Sequence, residues 1–249
     1  MTNSPAITNK VPLITLGFWI IKIMATTVGE TFADYLNFNL GMGLVKTSWI
    51  MGGLLVLSLV IQISARRYIP WRYWLAVVFL SIFGTLVTDN LSDNYGVSLV
   101  TTTVAFSAAL IATFVVWHAS ERTLSIHSIF TRKREAFYWT AILFTFALGT
   151  AAGDLVAEKM QLGYAVSALL FGGAIALTTL AYYYLGLDSV WAFWIAYVLT
   201  RPFGASCGDL LSQDPKDGGL GLGTVGTSAL FLVVILGLVI WLTLSRKDA

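Results

Sequence analysis

Four short stretches set acidic side chains inside apolar sequence: Gly29-Glu30-Thr31-Phe32-Ala33-Asp34, Thr88-Asp89-Asn90-Leu91-Ser92-Asp93, Gly153-Asp154-Leu155-Val156-Ala157-Glu158 and Gly204-Ala205-Ser206-Cys207-Gly208-Asp209. In the first three the acids stand four residues apart, a spacing that puts both carboxylates on one face of a helix about one turn apart. Aligned in this way, Glu30, Asp89 and Asp154 are the deeper acids, and Asp34, Asp93 and Glu158 lie closer to the following turn. In the fourth stretch Ala205 stands where a first acid is expected, Arg201 appears one turn earlier, and Asp209 is the remaining acid.

Seven carboxylates are therefore candidate ligands for a metal cation: Glu30, Asp34, Asp89, Asp93, Asp154, Glu158 and Asp209. Lys22, eight residues before Glu30 with Thr26 between, and Arg201, eight before Asp209, are candidate counter-charges. Seven acids against two bases leave an excess of five negative charges. Like-charged carboxylates in one low-dielectric site cannot all stay ionised unless protons or cations are present. Two other readings stay open: Lys22 as a snorkelling or structurally paired side chain, and Arg201 as the cap of a backbone break at Pro202.

The donors are oxygens: carboxylates, hydroxyls, the amides of Asn90 and Asn94, and carbonyls expected to be freed near Gly29, Gly153, Pro202 and Gly204. Such a set suits manganese, magnesium or calcium, whereas zinc and copper sites usually include His, Cys or Met. Cys207, the single cysteine, excludes an intrachain disulfide and reads as a small packing residue. His118 and His127 fall far in depth from the acids and read as surface residues. A Ser/His/Asp arrangement, a metalloprotease His-Glu motif, a Walker loop and a dinucleotide fingerprint are all missing from the sequence, so an enzyme is not expected. Nor does the last span hold the Lys that a retinal protein needs.

The elements that must position these residues follow from composition. Of the 249 residues 57% are hydrophobic and 11% charged, with a mean hydropathy of +0.79; soluble domains carry about 25% charged residues. Eight spans of roughly bilayer length can be drawn, at 11–35, 44–65, 72–94, 97–118, 136–159, 163–185, 189–211 and 221–244. The whole chain, 1–249, reads as one transmembrane domain of four repeats, near 11–67, 68–130, 131–187 and 188–249. Basic residues gather at alternate connections: Lys10; Arg66, Arg67 and Arg72; Arg122, Arg132, Lys133 and Arg134; Arg246 and Lys247. By the positive-inside rule these face the cytoplasm, with both termini.

Each repeat is then a helical hairpin entering with the same orientation. The expected fold is an all-α integral membrane protein of four parallel-repeat hairpins around a pseudo-symmetry axis along the membrane normal. Trp71, Tyr73, Trp74, Tyr138 and Trp139, beside the cytoplasmic charges, read as interface anchors. The segment Gln213 to Gly219, with Asp214, Lys216 and Asp217, reads as a solvated turn, or else as a lid over the acids.

At the four acidic stretches the chain resembles an uncharacterised bacterial family of multi-pass membrane-anchored proteins built of four short tandem repeats of unknown function. The resemblance covers nearly the whole chain and implies a location in the bacterial inner membrane, but it brings no substrate. The site itself points to transport or permeation of a cation, divalent or exchanged with protons. The rival readings are a proton-coupled exporter of a small organic substrate and a non-transporting scaffold. The expected partners are the lipid bilayer and that cation or small molecule, with oligomerisation left open and no nucleic acid. No covalently bound cofactor is expected.

Overall fold

A computed structural model describes residues 9–245, so Arg246 and Lys247 of the charge pattern lie outside the described residues. Eight α-helices and no strands make up the described residues: α1 (Leu16–Asp34), α2 (Leu44–Ile63), α3 (Pro70–Asp89), α4 (Leu99–Glu121), α5 (Arg132–Asp154), α6 (Tyr164–Tyr184), α7 (Ser189–Ser212) and α8 (Gly223–Ser245). They agree with the eight expected spans to within a few residues, except that residues 11–15 run irregularly before α1 begins.

Local chemistry sets the boundaries. Thr15, Ser98, Thr131 and Asp188 each accept a backbone N–H in the first turn of α1, α4, α5 and α7, and Pro70 stands at the start of α3, where its missing N–H is harmless. The helices α1, α3 and α5 each run straight into a five-residue π-helical stretch, Tyr35–Asn39, Asn90–Asn94 and Leu155–Lys159. After it, Gly43 and Gly163, at φ of 75°, reverse the chain into α2 and α6, a conformation that costs glycine little.

Four helices enclose the interior. α1 packs on α3, α3 on α5, α5 on α7, and α7 on α1, a closed cycle. The even-numbered helices lie outside it. The connections that follow α1, α3 and α5 are short, as expected. However, the principal neighbour of each even-numbered helix is the next odd-numbered one: α2 lies on α3, α4 on α5, α6 on α7, and α8 returns to α1. Gly52 of α2 accommodates the ring of Phe83 on α3, and Gly172 of α6 accommodates Phe203 on α7.

Six helices are long and apolar enough to cross a membrane: α2, α3 with its π extension, α4, α5 with its π extension, α6 and α8. The other two, α1 and α7, carry the buried ionic residues Lys22, Glu30, Arg201 and Asp209. Outward faces are apolar, for example Val104, Ile111, Val115 and Val116 on α4.

One expectation is overturned here. Of the five aromatic residues read as interface anchors, only Trp71 is exposed, while Tyr73, Trp74, Tyr138 and Trp139 are buried. They form an aromatic core with Phe18, Trp194 and Tyr197, in which the hydroxyls of Tyr73 and Tyr138 bond at 2.5 Å. Sequence position beside charges could not distinguish the two fates, because these rings point into the cycle of odd-numbered helices rather than out of it.

Candidate functional site

The site begins with four glycines. A Cβ on Gly29 of α1 would collide with Ser81 of α3, and one on Gly84 of α3 would sit 2.7 Å from the Cβ of Phe146 on α5. Gly149 of α5 likewise meets Arg201 of α7, and Gly204 of α7 meets Thr26 of α1. In every case the residue met stands three positions before the glycine of the next helix around the cycle. The four helices therefore approach most closely at one level, as small residues allow. Threonine hydroxyls stitch the same seams: Thr27 donates to the Gly204 carbonyl at 3.0 Å, Thr26 to that of Thr200 at 3.2 Å, and Thr88 to that of Ala147 at 3.0 Å.

One residue beyond each glycine stand Glu30, Thr85, Thr150 and Ala205. Arg201, fully buried, fills the space among them. Its guanidinium donates to Glu30 Oε2 at 2.8 Å, to Thr150 Oγ1 at 2.7 Å, to Thr85 Oγ1 and to the Thr26 carbonyl at 3.1 Å. A buried ion pair persists when further hydrogen bonds satisfy its remaining polar atoms. Here three other helices supply acceptors to the two terminal guanidinium nitrogens, while Nε has no hydrogen-bond partner among the described residues.

Five residues beyond each glycine stand Asp34, Asp89, Asp154 and Asp209. All four interact electrostatically with Glu30. Glu30, Asp154 and Asp209 each offer an oxygen, and these atoms lie within 4.8 Å of one another. Gln213, at the start of the segment read as turn or lid, donates to Asp34 Oδ2 at 3.3 Å, while Asp214, Lys216 and Asp217 are exposed. Asp93 and Glu158 are exposed, and Glu158 accepts from the hydroxyl of Tyr164 at 3.3 Å.

The structure thus corrects the register. Asp34 belongs with Asp89, Asp154 and Asp209, and Glu30 is an extra acid one turn deeper. Ala205 has not lost a repeated acid; Glu30 is the position that gained one. The i, i+4 pairs Asp89/Asp93 and Asp154/Glu158 are real, but they run outward from the shared aspartate, whereas Glu30/Asp34 runs inward. The signal that finds the register is a glycine followed five residues later by an aspartate, and the pairs of acids obscured it. Thr85 and Thr150 also belong to the site, as partners of Arg201.

Other expected members are elsewhere. Lys22 is fully buried, but its Nζ sits 4.3 Å from the ring centroids of both Phe146 and Tyr197 and makes no hydrogen bond. It is a cation held by aromatic faces, not a partner of the acids. The Asn90 amide donates to Ser48 of α2 at 2.7 Å and Asn94 donates to Asn90, so their amides are spent on the outer layer. α7 runs unbroken through Pro202. Cys207 is half-buried and outside the oxygen cluster, and His118 and His127 are exposed.

At the opposite end lies an ion pair that sequence did not suggest. Lys10 Nζ, buried, meets Glu135 Oε2 at 2.6 Å and donates to the Ile63 carbonyl at 3.0 Å. Charge sorting had marked Lys10 only as a cytoplasmic residue.

Four stretches of the chain, 17–68, 72–123, 137–187 and 192–248, match the family described as Repeat of Unknown Function (DUF347). Counted from the start of each stretch, Gly29, Gly84, Gly149 and Gly204 hold one position, and Asp34, Asp89, Asp154 and Asp209 another. No curated protein and no solved structure matches the chain.

Proposed function

We propose that this chain, which belongs to the family Repeat of Unknown Function (DUF347), is a multi-pass protein of the bacterial inner membrane that transports a cation, a divalent metal ion exchanged with protons. Its four repeats are taken as same-orientation hairpins around an approximate fourfold axis along the membrane normal. The outward apolar faces meet lipid, and the basic end, with both termini, faces the cytoplasm.

The observation that carries the reading is the group Glu30, Asp154 and Asp209, with oxygens within 4.8 Å of one another. Asp34 and Asp89 stand at the same level of the fold as the two aspartates. Such an all-oxygen set fits manganese, magnesium or calcium. Exposed Asp93 and Glu158 attract the ion at the mouth, and the aspartates hold it. Below them the glycine level is closed by Arg201, which argues for a carrier that must rearrange and against a permanently open pore. Arg201 acts as an internal counter-ion: it pairs with Glu30 when the site is empty and opposes the arriving cation.

Isothermal titration of purified protein with manganese tests the site. Asp154→Asn and Asp209→Asn should weaken binding strongly, whereas Asp214→Asn and Asp217→Asn, in the exposed segment, should leave it unchanged because solvent and salt screen them. Affinity should also fall as the pH is lowered, since protons and the metal compete for the same oxygens. Equal losses in both sets of variants would remove the site. Transport itself is read by manganese uptake into proteoliposomes under an imposed proton gradient, where no uptake beyond protein-free vesicles would remove the activity.

A further inference from the structure

Away from the acids, near the basic end, a cleft of about 640 Å³ opens between α1, α6 and α7 beneath the segment joining α4 to α5. That is within the roughly 300–1,000 Å³ of typical small-molecule sites. It follows α7 from Ser189 to Thr200, roughly 16 Å at 1.5 Å per residue. Trp19, Ile23, Phe193 and Ala196 form the inner wall, with Ile175 and Tyr182 facing them from α6.

Four threonines also line it, and three of them spend their hydroxyl hydrogen on the helix backbone. Thr178 donates to the Ala174 carbonyl at 2.8 Å, Thr179 to that of Ile175 at 2.9 Å, and Thr200 to that of Tyr197 at 2.7 Å. Thr15 Oγ1 accepts from the Phe18 N–H at 3.3 Å. With these hydroxyls bonded to the backbone and aliphatic and aromatic side chains making up most of the lining, the body of the cleft suits a hydrocarbon chain better than a polar organic molecule.

The rim is different. Ser125 and the exposed His127 lie there, in a connection that runs from Arg122 to Arg134 with four Lys or Arg residues and no acid. Glu121 engages Lys133 at 3.2 Å and Arg134 at 2.8 Å, which leaves the exposed Arg122 and Arg132 unneutralised. Asp188, which precedes the lining residue Ser189, accepts the N–H groups of Val190 and Trp191, so the N-terminus of α7 offsets part of its charge. The basic connection that borders the cleft therefore complements an anion.

We infer that this cleft binds one acyl chain of an anionic phospholipid, with the headgroup at the basic connection. The inference rests on the membrane reading above but not on cation transport. The test uses the full chain in nanodiscs of phosphatidylglycerol or phosphatidylcholine, transferred to mild detergent, with retained lipid counted by native mass spectrometry. About one phosphatidylglycerol per chain should remain, and at least about fivefold less phosphatidylcholine, the factor expected for a basic residue near an anionic headgroup. Ala192→Phe and Thr178→Phe, which fill the cleft from two different helices, should each lower retention about tenfold with the thermal midpoint kept. Arg122→Glu should abolish the headgroup preference.

Equal retention of the two lipids, or retention unchanged in both filled variants, would overturn the assignment and leave ordinary annular lipid. A chain that does not float with vesicles at all would instead overturn the membrane reading, and the cleft's occupant with it.

Discussion

At the scale of single residues, two buried cations of similar burial have opposite surroundings. Arg201 is bonded to Glu30, Thr85, Thr150 and a carbonyl, whereas Lys22 has only the faces of Phe146 and Tyr197. Removing Arg201 strands Glu30, and breaking a buried pair by deleting one partner costs about 3–5 kcal/mol. Arg201→Gln should therefore lower the thermal midpoint, and adding Glu30→Gln should restore much of the loss, a coupling that a double-mutant cycle measures. Where Arg201→Gln still folds, its manganese affinity should rise, because a positive charge that opposed the ion has gone. Lys22→Met should behave otherwise, since a buried ammonium without hydrogen bonds gives way to an apolar chain of similar length. We expect stabilisation of roughly 1 kcal/mol or more, read by thermal unfolding, with manganese affinity little changed. The types of these residues were legible in the sequence, and their partners were not: an arginine one turn before a missing acid points toward the acids by spacing alone, but which rings or hydroxyls surround a lysine depends on the neighbouring helix.

At the scale of elements, glycines decide where helices touch. Gly52 faces Phe83, with a would-be Cβ 3.0 Å from the ring, and the neighbouring Gly53 has open space. Gly52→Leu should destabilise by about 1–3 kcal/mol through overpacking, while Gly53→Leu should be near neutral; chemical denaturation in detergent compares them. The eight helices could be read directly, with most of their ends placed to within a few residues, because apolar length and turn glycines are local signals. The register of the acids could not, because Glu30 mimics the first acid of the other repeats, Asp34 then passes for their second, and the apparent alignment shifts by one turn. Nor could the packing of α2 on α3 rather than on α1. Short connections make neighbours in sequence plausible partners, and only the side chains of the next helix, such as Phe83 and Phe203, decide otherwise.

Across the whole molecule, charge divides the ends. Arg66, Arg67, Arg122 and Arg132 are exposed at one end, and Asp93, Glu158, Asp214 and Asp217 at the other. In a Cys207→Ser background, Lys216→Cys should react with a membrane-impermeant maleimide in spheroplasts, and Arg66→Cys only after lysis; the reverse pattern would invert the proposed orientation. The exchange of outer helices around the cycle has a consequence for biosynthesis. The face of α1 that α8 covers, including Thr31, whose hydroxyl meets that of Ser228 at 2.7 Å, is the first of its kind to leave the ribosome and the last to be covered. Until α8 is made, the nascent chain carries an unmatched helix at its leading edge, ready to accept the eighth helix of any copy nearby, so synthesis of α8 and closure of the circle are linked.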